Sequence, residues 1–250
     1  MPSEAPTILF FVVCGLISAH LFAARTRTWV WKVLLGLGVV MFGIQAWLGL
    51  VWAPPEQAMG DVYRIIYMHV PQVWMSLAAF ALNFGCAVAY LWKKSMRADA
   101  LAEASAEVGL YFGTLGVTLG AIWAKPTWGV WWDWDPRLIT AAIMVVIYAG
   151  YLAMRQFAAS ADSRATGSAV IAVLAFVDLP VLWFSVKWWN SLHQAQSSKK
   201  DMAPEMHLVL NWSAVAFCCL LFVFIYQRYR VALSRQQFEF APPPVAGAVS

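Results

Sequence analysis

The sequence predicts an all-α integral membrane protein that crosses the bilayer several times. Of its 250 residues, 62% are hydrophobic and only 12% are charged, and the mean hydropathy is +0.65. A soluble domain usually carries about 25% charged residues. Helices that face lipid need apolar side chains over most of their surface, because the hydrocarbon offers polar groups no water. The composition therefore favours a polytopic membrane protein over a soluble one.

Six apolar segments have the length of a membrane span and define a six-helix core at residues 29–230. Each is close to the ~20 residues that cross about 30 Å of hydrocarbon at ~1.5 Å per residue. Three of the connections between them, 53–70, 125–138 and 187–208, fall on the same side of the membrane. The predicted spans are residues 29–52, 71–92, 104–124, 139–156, 168–186 and 209–227.

The basic residues are divided unequally between the two sides, and this predicts the orientation. The side richer in Lys and Arg is expected to face the cytoplasm, so the three connections above are expected to face outward. Eleven basic residues lie on the richer side: Arg25, Arg27, Lys32, Lys93, Lys94, Arg97, Arg155, Arg164, Arg228, Arg230 and Arg235. Six lie on the other: Arg64, Lys125, Arg137, Lys187, Lys199 and Lys200.

Tryptophan is concentrated on the predicted outer side, whereas an ordinary aromatic belt decorates both interfaces. The densest stretch is WGVWWDWDPRL at 128–138, which is too polar for a span and too aromatic for a solvated loop. We therefore expect the functional chemistry on this side. Eleven of the fifteen tryptophans lie there: Trp52, Trp74, Trp123, Trp128, Trp131, Trp132, Trp134, Trp183, Trp188, Trp189 and Trp212.

The two ends of the chain and the cysteines carry weaker signals. The apolar stretch 8–24 is followed, not preceded, by arginines, which disfavours a signal peptide. The segment 1–28 is either a further helix or a piece lying on the membrane surface. The tail 231–250, which ends in APPPVAGAVS, is predicted to be disordered and cytoplasmic. The cysteines form no C-x-x-C and no C-x-x-C-H, so neither a redox pair nor covalent haem attachment is indicated.

Four histidines are present, and two of them stand out by position. His69 precedes Pro71 in YRIIYMHVPQVWMS, and proline is favoured in the first turn of a helix; this places His69 at the outer mouth of the second span. His193 lies just beyond the outer end of the fifth span, and His207 lies at the far end of the same connection. His20 falls in the N-terminal stretch and is interpreted as a packed or interfacial residue.

His69 and His193, at similar depth beside an aromatic loop, indicate a pair of axial ligands for haem iron. The faces of Trp131 and Trp132 would cover the apolar porphyrin. Arg64 would pair with a propionate, since a guanidinium matches a carboxylate through two parallel hydrogen bonds. The residues alone also fit an interfacial aromatic loop that holds no cofactor.

The outer segments resemble the haem exporter protein C (CcmC) family of cytochrome c biogenesis. The stretch WGVWWDWDPRLIT is similar to the tryptophan-rich WWD signature of such proteins, and RIIYMHVP and SVKWWNSLHQ point to this family. The resemblance covers roughly residues 29–230, and residues 1–28 show no clear counterpart. It implies that His69 and His193 ligate the iron of haem b at the outer surface.

The resemblance also implies the remaining site residues and the partners. Arg64 and Arg137 stand where family arginines hold or present the haem. The haem would pass to CcmE, a membrane-anchored haem chaperone, in a complex with CcmD and the ATP-binding-cassette subunits CcmA and CcmB. The platform that cradles the haem would consist of Trp128, Trp131, Trp132, Trp134 and Asp135. Asp135 before Pro136 also suits the start of the fourth helix.

The expected protein is a haem-delivery component without an ATPase motif of its own, more a carrier than an enzyme. It is expected in a bacterial inner membrane with its site toward the periplasm; a mitochondrial inner membrane is the other setting, and nucleic acid is not an expected partner. A transporter would need more polar residues in the spans than Asn83 and Asp178. Cytochrome c synthases of this group are larger, and electron-transferring b-type cytochromes usually place their histidines within the spans. Asp178, charged at membrane depth, is expected to be functional or paired.

Overall fold

The computed structural model describes residues 30–193 and 202–239, and this part of the chain is helical. The segment 1–28 with His20 and the last residues of the tail, 240–250, lie outside it. A π-helical turn, Leu48–Trp52, continues the first helix, and a 3-10 turn, Asp61–Ile65, leads into the second. The α-helices are α1 (Val30–Trp47), α2 (Ile66–Lys93), α3 (Met96–Trp128), α4 (Pro136–Phe157), α5 (Ala161–Ala175), α6 (Asp178–Trp188) and α7 (Pro204–Glu239).

Within residues 30–193 and 202–239, six helical segments are long and apolar enough to cross a membrane, which confirms the predicted six-span fold. The last five extend past the predicted spans at both ends, because backbone hydrogen bonds continue after the side chains turn polar. The predicted outer connections are correspondingly shorter in the structure. The segments are Trp31–Trp52, Asp61–Lys93, Met96–Trp128, Pro136–Phe157, Ala161–Trp188 and Pro204–Glu239.

The sequence predicted Pro71 in the first turn of the second helix. In the structure it lies inside α2, which begins earlier, at Ile66. A proline in a helix interior leaves the carbonyl four residues earlier without its usual donor. Here that carbonyl belongs to Tyr67, and the buried side chain of Gln45 on α1 donates to it from 3.2 Å. Pro71 therefore leaves the Tyr67 carbonyl free to accept the hydrogen bond that ties α1 to α2.

Glycines line the face of α3 that packs on α2. Spacings of three and four residues place Gly109, Gly113, Gly116 and Gly120 on one face, and small residues let membrane helices approach closely. A Cβ at Gly109 would lie 2.5 Å from Cε1 of Phe80. The α2–α3 contact therefore requires glycine at that position.

The fifth span is interrupted between α5 and α6. Pro180 cannot donate to the carbonyl of Phe176, and the backbone N–H of Leu179 donates to it instead, at 3.2 Å. Asp178 is the first residue of α6, and its Oδ2 is buried without a hydrogen-bond partner in the described part of the chain. The predicted pairing of Asp178 is thus not found within the described residues.

Buried charges join α3, α4 and α7 at the end of the bundle opposite the tryptophan-rich connections. Arg155 on α4 donates to both carboxylate oxygens of Asp99, at 2.7 and 2.9 Å, and to Glu103 at 2.8 Å. All three side chains are at most 7% exposed. Gln236 on α7 also donates to Asp99, at 2.6 Å. This cluster is called the ion-pair cluster below.

The ion-pair cluster corrects the predicted start of the disordered tail. Residues 231–239 are helical, because α7 continues to Glu239. Two of its last side chains bond to carboxylates of α3: Gln236 to Asp99, and Arg235 to Glu103 at 2.7 Å. A contact with another helix holds this polar stretch, and a hydropathy pattern does not register such a contact.

Candidate functional site

A cavity of about 310 Å³ lies among α2, α3, α4, α6 and α7 at the tryptophan-rich end of the bundle. This volume is within the range of small-molecule sites, which are mostly apolar with a few polar groups. Aromatic and aliphatic side chains form most of the wall. Its polar and aromatic lining includes His69, His193, His207, Arg137, Trp74, Trp123, Trp128, Trp132 and Trp183.

His69 is held in one orientation by α3. Its Nδ1 lies 3.0 Å from the carbonyl oxygen of Gly116, which only accepts hydrogen bonds, so Nδ1 carries the proton. The other nitrogen, Nε2, is then left with a lone pair, the form in which imidazole binds a metal. A Cβ at Gly120 would lie 3.0 Å from Cε1 of the ring, so the glycine makes room for it.

His193 lies beyond the end of α6, in the third connection. Its ring centroid is 6.3 Å from that of Trp128, in an edge-to-face arrangement. Its backbone N–H donates to the hydroxyl of Ser191 at 3.1 Å. The structure thus brings His69, on a rigid helix, and His193, on a loop, to the wall of one cavity.

Asp135 links the second connection to the third. It caps α4 by accepting from the backbone N–H of Arg137 at 2.8 Å, which confirms the predicted helix start. It also accepts from the hydroxyl of Ser191 at 3.0 Å and from the backbone N–H of Leu192 at 2.7 Å. Asp135 is buried but does not line the cavity. It therefore positions the loop that carries His193.

These bonds set the ionisation of Asp135. Burial acts to raise the pKa of the carboxyl, but the hydrogen bonds from Ser191, Arg137 and Leu192 outweigh it and hold the pKa below the ordinary value. A depressed folded-state pKa stabilises the protein above the unfolded pKa, near ~3.9. That stabilisation is lost as the pH falls through the folded value.

Replacing Asp135 by asparagine is expected to weaken the attachment of the third connection by about 1–3 kcal/mol. One carboxylate oxygen becomes an amide nitrogen, which cannot accept hydrogen bonds from the donors that it faces. Proteolysis of the third connection in detergent measures this. For the wild type, the cleavage rate should rise only below about pH 4, and for Asp135→Asn it should be high already at pH 7. Asp133→Asn is the control, since Asp133 is only half-buried and caps no helix. Equal cleavage of the two variants would contradict the assignment.

The two arginines named by the sequence occupy different places. Arg137 lines the cavity, and its Nη1 is buried without a hydrogen-bond partner in the described part of the chain. A buried donor without an acceptor is costly, so this nitrogen suits an anionic group of a ligand. Arg64 is not part of the cavity wall; it donates to Asp61 at 2.8 Å and to the carbonyl of Gly49 at 2.9 Å.

The tryptophans of the second connection divide into two pairs. Trp128 and Trp132 line the cavity. Trp131 and Trp134 do not, and they are 58% and 79% exposed. The predicted platform is therefore part cavity wall and part outer surface.

Sequence reasoning missed several residues of the wall. Trp74, Trp123 and Trp183 come from the helices and had been placed only near the outer face. Gly116 and Gly120, which hold and admit His69, were also missed. The spacing of glycines along α3 carried a signal that would have found them.

The fold and the cavity define a multi-pass membrane protein with a mostly apolar cavity at one end of its helix bundle. The family model described as Heme exporter protein C matches residues 12–241. The chain belongs to the haem exporter protein C family. The match begins well before residue 29 and ends beyond residue 230, so the family covers more of the chain than the motifs indicated, including much of the segment 1–28.

Individual relatives agree with this assignment. The chain is 34% identical to Heme exporter protein C of Haemophilus influenzae, over 90% of this chain and 87% of that one. It is 32% identical to Heme exporter protein C of Escherichia coli K12, over 76% and 77% of the two chains. It is also 32% identical to a putative cytochrome c biosynthesis ccmC-like mitochondrial protein of Marchantia polymorpha, over 71% and 75%.

Proposed function

We propose that this protein binds haem b in the cavity at the outer face of its membrane and delivers it for cytochrome c maturation. The observation that carries the proposal is the convergence of His69 and His193 on one tryptophan-lined, mostly apolar cavity. Haem needs this combination: imidazole for the iron and apolar surface for the ring. The names of the relatives, haem export and cytochrome c biosynthesis, support the same ligand.

The two proposed iron ligands are attached to the protein in different ways. His69 is buried on a long helix and fixed by the Gly116 carbonyl. His193 is on a loop whose attachment includes the bonds from Ser191 and Leu192 to Asp135. A carrier must release its cargo, and loss of the ligand on the loop gives a route to release. We therefore assign retention to His69 and exchange to His193.

The other site residues are assigned roles according to whether they line the cavity or lie on the outer surface. Trp128 and Trp132 would cover the porphyrin from inside the cavity, and Arg137 would donate to a propionate. Arg64 would brace the first connection. The exposed Trp131 and Trp134 then form the surface that meets the haem acceptor, which by family is the chaperone CcmE.

The proposed setting is a bacterial inner membrane with the cavity toward the periplasm, or the equivalent mitochondrial membrane. The excess of basic residues at the opposite end of the bundle supports this orientation. By family the chain would assemble with CcmD, CcmA and CcmB, and ATP hydrolysis would come from those partners. The chain itself would be a delivery component and not an enzyme.

The test is the absorption spectrum of the purified protein, oxidised and reduced, for wild type, His69→Ala, His193→Ala and the double variant. The wild type should show a six-coordinate, low-spin b-type spectrum. Each single variant should lose low-spin character, and His69→Ala should lose more haem than His193→Ala. Wild-type haem content in the double variant would contradict the ligand assignment.

A further inference from the structure

A third histidine, His207, lines the same cavity. It lies in the first turns of α7, and its backbone N–H donates to the carbonyl of Ala203 at 3.0 Å. A haem iron takes two axial protein ligands at most, and the proposed pair is already complete. A role for His207 toward the cargo must therefore involve another part of the molecule.

The hydrogen bonding of His207 differs from that of His69. The amide Nδ2 of Asn211, one turn further along α7, lies 3.4 Å from Nδ1 of His207. An amide nitrogen only donates, so Nδ1 accepts and the proton of the neutral ring lies on Nε2. For His69 the neighbouring group is a carbonyl, so the proton lies on Nδ1. These contacts favour opposite tautomers for the two imidazoles: Nε2 of His69 offers a lone pair, and Nε2 of His207 offers an N–H.

We propose that His207 is a specificity residue whose Nε2–H donates a hydrogen bond to a carboxylate of the bound tetrapyrrole. This rests on the proposed function, because it takes haem as the cargo. Most of the cavity wall is apolar, so a carboxylate that enters it needs donors among the few polar groups present. Arg137, with its unpartnered Nη1, is one such donor, and His207 is another. The protein would then select its tetrapyrrole by the carboxylates at the edge of the ring as well as by the metal.

The experiment compares haem with haem dimethyl ester, in which both carboxylates are blocked, binding to the full-length protein in detergent. His207→Ala should weaken haem binding about tenfold, the equivalent of one hydrogen bond to a charged group. It should change ester binding by less than about twofold, and the low-spin spectrum should stay. His207→Gln, which keeps an N–H donor, should restore most of the affinity for haem. Glu205→Gln, an exposed change in the same turn outside the cavity wall, is the matched control.

The other outcomes distinguish a failure of the His207 inference from a failure of the proposed function. A five-coordinate spectrum in His207→Ala would make His207 an iron ligand and overturn the donor role. Equal losses for haem and its ester would show that the side chain only packs, which also overturns it. If the wild type binds neither compound, the proposed function itself fails. If haem binding depends on His69 but not on His207, only the present inference fails.

Discussion

Replacing Arg155 by alanine is expected to lower the free energy of unfolding by about 3–5 kcal/mol, the usual cost of removing one partner from a buried ion pair. Asp99 would lose both hydrogen bonds from the guanidinium, and Glu103 would keep only Arg235, which is 41% exposed. Each carboxylate would stay buried with one remaining donor residue, Gln236 for Asp99 and Arg235 for Glu103. Since these bonds join α3, α4 and α7, the loss should be global and not confined to one helix end.

The measurement is the unfolding midpoint in mixed detergent micelles, compared with that of Arg228→Ala. Arg228 pairs with Glu107 but is 48% exposed, so its removal should cost at most about 1 kcal/mol. A combined variant, Arg155→Leu with Asp99→Asn and Glu103→Gln, should recover much of the loss because it leaves no buried charge. Equal midpoints for Arg155→Ala and Arg228→Ala would contradict the ion-pair cluster as a stabilising feature.

For the proposed haem site, replacing Gly120 by valine is expected to lower haem affinity by about 10–100-fold, the usual effect of disturbing the group that orients a metal ligand. A Cβ there already meets the imidazole of His69 at 3.0 Å, and the methyl groups of valine extend further. The ring must move, and its hydrogen bond to Gly116 is lost. Haem titration followed by absorption spectroscopy should show a mixture of two species, one with both histidines bound to the iron and one with His193 alone.

Two controls separate this effect from general damage to the helix contact. Gly109→Ala collides with Phe80 on the same α2–α3 interface, so it should cost about 1–3 kcal/mol of stability and leave the spectrum unchanged. At Gly85 an added Cβ would meet no atom within 4 Å, so Gly85→Val should change neither property. A normal spectrum for Gly120→Val would show that His69 does not depend on this glycine.

The amino-acid sequence by itself determined the membrane architecture, the cap of α4 by Asp135 and the candidate ligands His69 and His193. These features follow from local rules. A span needs a run of apolar residues, and a cap needs an acceptor side chain immediately before a helix. Tryptophan crowded at one end indicated where to look, because so many large aromatic rings exceed what an interface needs.

Only the tertiary structure decided which residues face the cavity and which hold it together. Trp131 and Trp134 point outward although their neighbour Trp132 points inward, and Arg64 bonds to Asp61 and Gly49 instead of lining the cavity. The bonds from Ser191 and Leu192 to Asp135, and from Gln45 to the carbonyl freed by Pro71, join distant parts of the chain.

The ion-pair cluster belongs to the same group, since its carboxylates and its arginine come from different helices. Hydropathy and local spacing record the surroundings of a residue along the chain. The partner of a buried polar group is set by how the helices pack against one another, and that information lies between segments and not within any one of them.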